Sequence, residues 1–309
     1  MADKPPVDSE LAVSALETEK VNPATTEIDR MSALEMAQVM NAEDMKVTTA
    51  IKEELPQIAR AIEEIAARMR RGGRLIYVGA GTSGRLGVLD AAECPPTFNI
   101  PAERVIALLA GGPIAQTQAQ EDMEDSSEAG EADVAQLKLS ANDSVVGIAA
   151  SGRTPYPIGA LAYAQKVGAL TIGLACNKGV PMEEVSDIMI APVVGPEVVT
   201  GSTRLKAGTA QKLVLNMLST GTMIMLGKTF GNLMIDVQPT NYKLRQRAVS
   251  IVQTATGLER DEAEGLLQRS GDEVKTAILV GKSNLTPQQA RGQLTTHQGI
   301  LRAALDELA

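Results

Sequence analysis

The chain of 309 residues has very few aromatic side chains: no Trp, two Phe and four Tyr. Single-stranded nucleic acid is usually held by aromatic stacking platforms in a basic groove. Neither is present, and a formal net charge of −9 with no dense Lys/Arg run leaves no duplex-binding surface. There is one His, His297, close to the C-terminus, so any Ser-His-Asp or Cys-His site would have to use it. The two cysteines, Cys94 and Cys176, are far apart and outside metal-ligand spacings, which argues against a zinc site or a disulfide framework. So few thiols fit a reducing cytoplasm. Acid–base chemistry is left to carboxylates, Lys and Tyr.

Long hydrophobic runs are missing too. The first twenty residues are polar and lack the apolar stretch of a secretory signal. The longest charge-free apolar stretch, Leu213 to Gly227, is interrupted by Asn216, Ser219 and Thr220 and is too short to span a bilayer. It reads as a buried helix, and no membrane partner is expected.

What is present is a series of short apolar runs: Leu75–Val78, Val105–Ala110, Ser144–Ala150, Ala169–Ala175 and Ile188–Val194. None alternates polar with apolar, as expected of strands covered on both faces in a parallel sheet. Helical segments separate them, among them Gly84–Glu93, Ser126–Leu137 and Pro157–Val167. An earlier helix over Val47–Arg71 carries Ile51, Leu55, Ile58, Ala61, Ile62 and Ile65 at helical spacing and stops at Gly72-Gly73. A long helix follows the last strand, Thr203–Lys228, and later short helices break at Gly257, Gly271 and Pro287. The pattern predicts an α/β protein with a doubly wound five-stranded parallel sheet and a small C-terminal helical bundle. The expected division is a loose tail over 1–20, a sheet domain over 21–240 and a helical domain over 241–309.

Ligands of such sheets sit at the C-terminal ends of the strands, and polar clusters stand there. The first is Gly79-Ala80-Gly81-Thr82-Ser83-Gly84, a G-x-G-x-x-G pattern between a strand and a helix. The second strand ends at Ala110-Gly111-Gly112, without the acid that a dinucleotide ribose wants. A phosphate suits the loop better: glycines admit it closely, Thr82 and Ser83 offer hydroxyls, and the helix N-terminus offers free N–H groups. The plainer reading is a strand–helix turn with Ser83 as N-cap. The second cluster, Ser151-Gly152-Arg153-Thr154, follows the third strand and would converge on the same anion. The third, Ser202-Thr203-Arg204-Leu205-Lys206, precedes the long helix. Ser202 or Thr203 could cap it, and Arg204 and Lys206 would suit an anionic substrate.

These segments resemble the N-acetylmuramic acid 6-phosphate etherases, within the sugar-isomerase (SIS) superfamily of phosphosugar domains. The resemblance is carried by LIYVGAGTSGRLGVLDAAECPPT from Leu75 to Thr97, Ile28-Asp29-Arg30 with Glu35-Met36, Asn41 to Asp44, Gly147 to Tyr156, Val198 to Ser202, Lys206 to Thr220 and Gly231 to Met234. It runs from about residue 17 to the end, and the last segment is similar to a ubiquitin-associated-type bundle. It implies cleavage of the C3 D-lactyl ether of N-acetylmuramic acid 6-phosphate, giving N-acetylglucosamine 6-phosphate and D-lactate. It also implies a cytoplasmic homodimer working in cell-wall sugar recycling without metal or organic cofactor.

The ether lies β to the sugar's latent aldehyde. In the open chain a base removes the C2 proton, an acid protonates the departing oxygen, and water adds to the unsaturated aldehyde. Two carboxylates suffice. By resemblance the acid is Glu93 and the base Glu124, and the substrate is held by Gly81, Thr82, Ser83, Ser151, Gly152, Arg153, Thr154, Ser202 and Lys206. Without the resemblance, Glu124 would read as one of seven carboxylates on a solvated face between Glu121 and Asp133. One distance is awkward: a continuous helix puts Ser83 and Glu93 about 15 Å apart. Either Glu93 serves a substrate anchored by a partner subunit, or the helix breaks early. The alternative functions are a non-catalytic sugar-phosphate-binding regulator, as glucokinase regulatory proteins are, and an aldose–ketose phosphosugar isomerase.

Overall fold

The computed structural model describes residues 16–118, 123–237 and 242–308. Strands β1 (Leu75–Gly79), β2 (Val105–Leu109), β3 (Ser144–Ile148), β4 (Leu170–Leu174) and β5 (Ile188–Ile190) form one sheet in the order β2-β1-β3-β4-β5. Every neighbouring pair is parallel, so the doubly wound α/β architecture stands as expected. Strands β1, β3 and β4 are buried at every position, whereas the edge strand β2 is only half-buried in its middle. Strand β5 is shorter than the apolar run Ile188–Val194. It pairs only with Ile172–Leu174, and Pro192 brings no N–H to a ladder.

The pleat divides the sheet's side chains between two cores. Leu75, Tyr77, Val146 and Ile148 pack with helices α1 (Ala33–Arg70), α2 (Gly81–Phe98) and α5 (Lys206–Met225). Ile76, Val78 and Val145 pack on the other face with α3 (Ser127–Gln136) and α4 (Pro155–Val167). Helix α1 begins well before the expected Val47, at a capping box in which the Ser32 and Glu35 side chains each bond the other's main chain. It buries Val47, Ile51, Ile58, Ala61 and Ile65, while Leu55 from the same periodic set stays 45% exposed.

Helix α2 does not stop at Pro95-Pro96 but continues to Phe98, where Asn99 takes a left-handed conformation and its N–H reaches the Pro95 carbonyl. Both prolines sit in the last turn, where their missing N–H groups leave the Ala91 and Ala92 carbonyls without their i+4 donors. Helix α5 starts at Lys206, three residues later than expected, with Leu205 at its cap.

A short hairpin, β6 (Thr229–Phe230) with β7 (Leu233–Met234), turns at Gly231 (φ 57°) and escapes sequence reading because each strand has two residues. Helices α6 (Tyr242–Thr256), α7 (Arg260–Arg269), α8 (Val274–Gly281), α9 (Pro287–Thr296) and α10 (Leu301–Asp306) follow. The expected breaks are real: Gly257 and Gly271 have φ of 78° and 71°, and Pro287 opens α9 behind a Thr286–Gln289 capping box. These helices share a core of their own, which also takes in Phe230, Leu233, Ile235 and Val237. The chain therefore joins the bundle before residue 241.

Residues 1–15 of the expected tail lie outside the described residues. Its end is packed: Leu16 is 6% exposed, and buried Thr18 exchanges hydrogen bonds with Asn177, whose amide donates to Thr18 Oγ1 at 3.1 Å.

The glycine motif is first a packing device. A Cβ at Gly84 would stand 2.4 Å from the Gly79 carbonyl oxygen, and one at Gly79 would stand 2.9 Å from Gly84 N. Main chain meets main chain where β1 turns into α2. Gly84→Ala should cost about 1–3 kcal/mol, the range for forcing a methyl into a packed site. Chemical denaturation of the variant measures this, and an unchanged midpoint would refute it.

Candidate active site

Strands β1 and β3 are neighbours, and the chain leaves them in opposite directions, to β2 on one side and β4 on the other. Their carboxyl ends flank the sheet's switch point, where a crevice forms. The loops beyond Gly79 and Ile148, paired in register, therefore stand side by side.

In the first loop, Ala80 is the N-cap and supplies no side-chain bond; Gly81 opens the helix at φ 50°. The N–H groups of Gly81, Thr82 and Ser83 belong to the turn that has no intrahelical acceptor. Ser83 is not the cap. It is the third helical residue, nearly buried, and its Oγ donates to Gln211 Oε1 of α5 at 2.9 Å. Gln211 is 1% exposed, and its amide nitrogen has no partner among the described residues. The Thr82 methyl lies 3.6 Å from where a Cβ at Gly208 would be, so the first loop abuts the first turn of α5.

In the second loop, Gly152 has φ 68°, and a Cβ there would stand 2.4 Å from the Val180 side chain. Ser151 Oγ accepts from Arg153 N at 3.2 Å, and Thr154 caps α4 without a side-chain bond. The Asn177 amide and Cys176 N both donate to the Ala150 carbonyl and fix the loop's entry. Glu124 arrives here through its main chain: its carbonyl accepts from Tyr156 N at 3.1 Å, in the first turn of α4. Its residue is half-buried. Upstream, Arg85 of α2 donates to the carbonyls of Ala115 and Gln118. Glu124 is thus tied to α4, and the segment before it to α2. Glu121 and Asp122 of the same acidic run lie outside the described residues.

The third cluster differs from expectation. Neither Ser202 nor Thr203 caps α5; both lie in the preceding turns. The cap is a distant carboxylate. Glu197, wholly buried, accepts from Lys206 N at 3.0 Å and Ala207 N at 2.9 Å. Burial pushes its carboxyl up, and those two N–H groups pull against that. Lys206 is 1% exposed, and its ammonium is bound to Glu43 Oε2 of α1 at 2.6 Å. In this chain it is a buried anchor between α1 and α5 instead of a cation facing solvent. Sequence reading took Lys206 and Arg204 as a pair, whereas Arg204 is exposed. Glu43, Glu197, Asn177 and Gln211 build the site's frame and were not singled out from sequence. A buried carboxylate's partner lies too far along the chain to be read from spacing.

Glu93 stands apart. Helix α2 is unbroken from Gly81 to Phe98, so Glu93 lies about 15 Å along it from Ser83. Its residue is exposed. A buried network fixes this half of the helix. Tyr77 Oη donates to Asp90 Oδ2 at 2.8 Å, and Asn216 and Ser219 of α5 donate to Asp90 Oδ1 at 2.6 and 3.1 Å. Beside Asn216, the residues Leu55, Ile58 and Ile62 of α1 and Leu213 and Met217 of α5 line an open apolar groove of about 560 Å³. Burial pushes the Cys94 and Cys176 thiols up to about 12, so neither is a ready nucleophile. His297 pairs with Glu307 inside the C-terminal bundle. Among the described residues, no three His, Cys, Asp or Glu side chains are grouped to hold a metal ion, and no helix is long and apolar enough to cross a membrane.

Comparisons with known proteins match this picture to the SIS class of domain. Residues 57–165 match the family model of the glucokinase regulatory protein N-terminal SIS domain, and residues 231–279 that of the same protein's C-terminal lid domain. A solved phosphoheptose isomerase from Francisella tularensis covers 63% of this chain and 100% of its own at 17% identity, with a TM-score of 0.49. Much nearer in sequence are N-acetylmuramic acid 6-phosphate etherases. One from Vibrio cholerae is 55% identical over 96% of this chain and 98% of its own length. One from Serratia proteamaculans is 56% identical over 95% and 99%, and one from Rhodopirellula baltica 53% over 95% and 97%. The chain belongs to the N-acetylmuramic acid 6-phosphate etherase family.

The anchor under the site carries a measurable pH dependence. Burial pushes the Glu43 carboxyl up, but the Lys206 and Lys46 ammonium groups and the Asn22 amide outweigh it and hold it at about 2, against an ordinary value of 4.5. A depressed carboxyl stabilises the fold above the ordinary value and loses that contribution as pH falls from about 4.5 to about 2. Glu43→Gln should flatten the stability profile across that window. Lys206→Met, which leaves the buried Glu43 carboxylate to Lys46 and Asn22 alone, should cost about 1–3 kcal/mol, and adding Glu43→Leu should restore much of it. Urea melts from pH 2 to 7 read both effects; a single variant as stable as wild type would contradict them.

Proposed function

We propose that the protein is an N-acetylmuramic acid 6-phosphate etherase, a carbon–oxygen lyase that releases D-lactate and leaves N-acetylglucosamine 6-phosphate. The observation that carries this reading is identity above 50% to etherases over nearly their full length. The crevice supports it. Gly81, Thr82 and Ser83 present main-chain N–H groups with no acceptor among the described residues at a helix N-terminus, Thr82 adds a hydroxyl, and Ser151, Gly152, Arg153 and Thr154 stand in the loop beyond the neighbouring strand. This is a setting for a phosphate monoester. Ser202 lies in the turn leading to α5, whose first turn abuts the first loop.

The chemistry follows from the two carboxylates. Glu124 takes the C2 proton of the open-chain sugar, and the electron pair forms the C2–C3 double bond as the C3–O bond breaks. Glu93 delivers a proton to the departing lactyl oxygen. Water then adds at C3 of the unsaturated aldehyde, and C2 regains a proton. Both atoms and charge balance without a redox partner, and the reading invokes no cofactor. A general acid works best where desolvation keeps it protonated. Glu93 is exposed in the single chain, and a second copy would both desolvate it and close the 15 Å gap along α2. The apolar groove between α1 and α5, adjoining the helix that carries Glu93, is a fitting face for that copy. We therefore assign a homodimer with Glu93 donated across the interface. The buried free thiols support a reducing, cytoplasmic setting.

The regulatory alternative draws on the names of the two matched family models, but relatives matched end to end are etherases. Purified protein should release one D-lactate per N-acetylmuramic acid 6-phosphate, with solvent deuterium at C2 of the product. Glu93→Ala and Glu124→Ala should each lower kcat by at least about 10²-fold. Mixing the two inactive variants with verified subunit exchange should restore activity. Absence of lactate release would overturn the enzyme reading; no recovery on mixing would overturn only the shared site.

A further inference from the structure

A second polar cavity lies at the other edge of the sheet. It holds about 300 Å³ and is lined by Met69, Arg70, Arg104, Lys228, Gln298 and Ile300 among others. Arg70 closes α1 just before β1, and Arg104 immediately precedes β2. The cavity therefore sits at the amino ends of the strands, a full strand length from the Ser83 loop. Its far wall is the approach of the C-terminal bundle: a Cβ at Gly227 would stand 2.9 Å from the Ile300 side chain.

Three cations line this cavity and no carboxylate does. Arg70 donates to the Met225 carbonyl at 2.7 Å, and Arg104 to the Met69 carbonyl at 2.7 Å, each closing a helix end. These bonds explain one donor of each guanidinium, which has five. Neither arginine has an ion pair among the described residues. Arg104 Nε is buried and has no hydrogen-bond partner there. Lys228 is bonded to Asp236, but that one carboxylate is shared with Lys275. Three positively charged side chains thus line a space of ligand size, and one of them, Arg104, keeps a buried Nε without a partner among the described residues.

We propose that this cavity is a second anion site, selective for a small phosphate-bearing molecule, that ties the C-terminal bundle to the sheet domain. A tetrahedral dianion can accept from both guanidinium groups and the ammonium at once, which a carboxylate of one charge does less well. Occupancy joins residues of α1, the entry to β2, the turn after α5 and the 298–300 segment. The ligand therefore favours the arrangement in which the bundle is seated. The inference stands on geometry apart from the crevice and does not depend on the etherase reading.

Titration calorimetry of the full chain with inorganic phosphate, and separately with a hexose 6-phosphate, tests it against Arg70→Gln/Arg104→Gln. Wild type should bind one more phosphate group per chain than the double variant, or bind it at least about tenfold more tightly at that site. Phosphate should slow amide exchange at residues 226–228 and 298–300 in wild type and not in the variant. If both proteins bind equally and exchange at those residues is unmoved, the site does not exist. Saturation by inorganic phosphate alone identifies the free ion; saturation by both identifies the ester. Arg104→Gln alone, which leaves the Arg70 bond to α5 intact, gives the same reading should the double variant not fold.

Discussion

The carboxylate of Glu197 is the contact on which the rest of the crevice hangs. It closes the N-terminus of α5 from within the protein, and the first residue it holds, Lys206, is itself fastened to Glu43 of α1. Glu43 is matched by Lys206 and by Lys46, so the charge of Glu197 is left to the two main-chain N–H groups and the helix dipole. With its first turn fixed, α5 becomes a template for α2. Gln211 receives Ser83 near one end of α2, and Asn216 and Ser219 receive Asp90 near the other. The anion loop and the helix segment that carries Glu93 are registered against the same helix.

Under the proposed reading, that arrangement lets an acidic protein present a site for a phosphate. The local field is made by helix ends and loop N–H groups, whose charge is partial and oriented. Lys206, the cation that looked best placed to help, is spent inside the frame, where its charge is matched. Net charge and site charge are separate properties, set by different residues.

Much of the sheet was legible because fully buried strands announce themselves as unbroken apolar runs; all five keep their expected start to within a residue. Strand ends were less so, since Pro192 cuts β5 by its missing N–H and not by polarity. The glycine loop was legible as a site, but its reason differs from the one sequence offered. Two of its three glycines serve main-chain contact, and Ser83 hydrogen-bonds a helix more than a hundred residues away. The proposed catalytic pair came chiefly from family resemblance: the acidic run around Glu124 reads from sequence as a solvated face. Glu43 and Glu197 stayed hidden for the converse reason. Their roles come from burial and from partners 163 and 9–10 residues away.

The contact between Gly79 and Gly84 also bears on how tightly an anion can be held. Neither residue has a side chain to rotate, and neither main chain can retreat without breaking the sheet or the helix. The N–H groups beyond them point one way before any ligand arrives. The ordering cost that a flexible loop would meet on binding has been met during folding, so the crevice is preorganised, with dipoles that need not turn to meet the charge they receive.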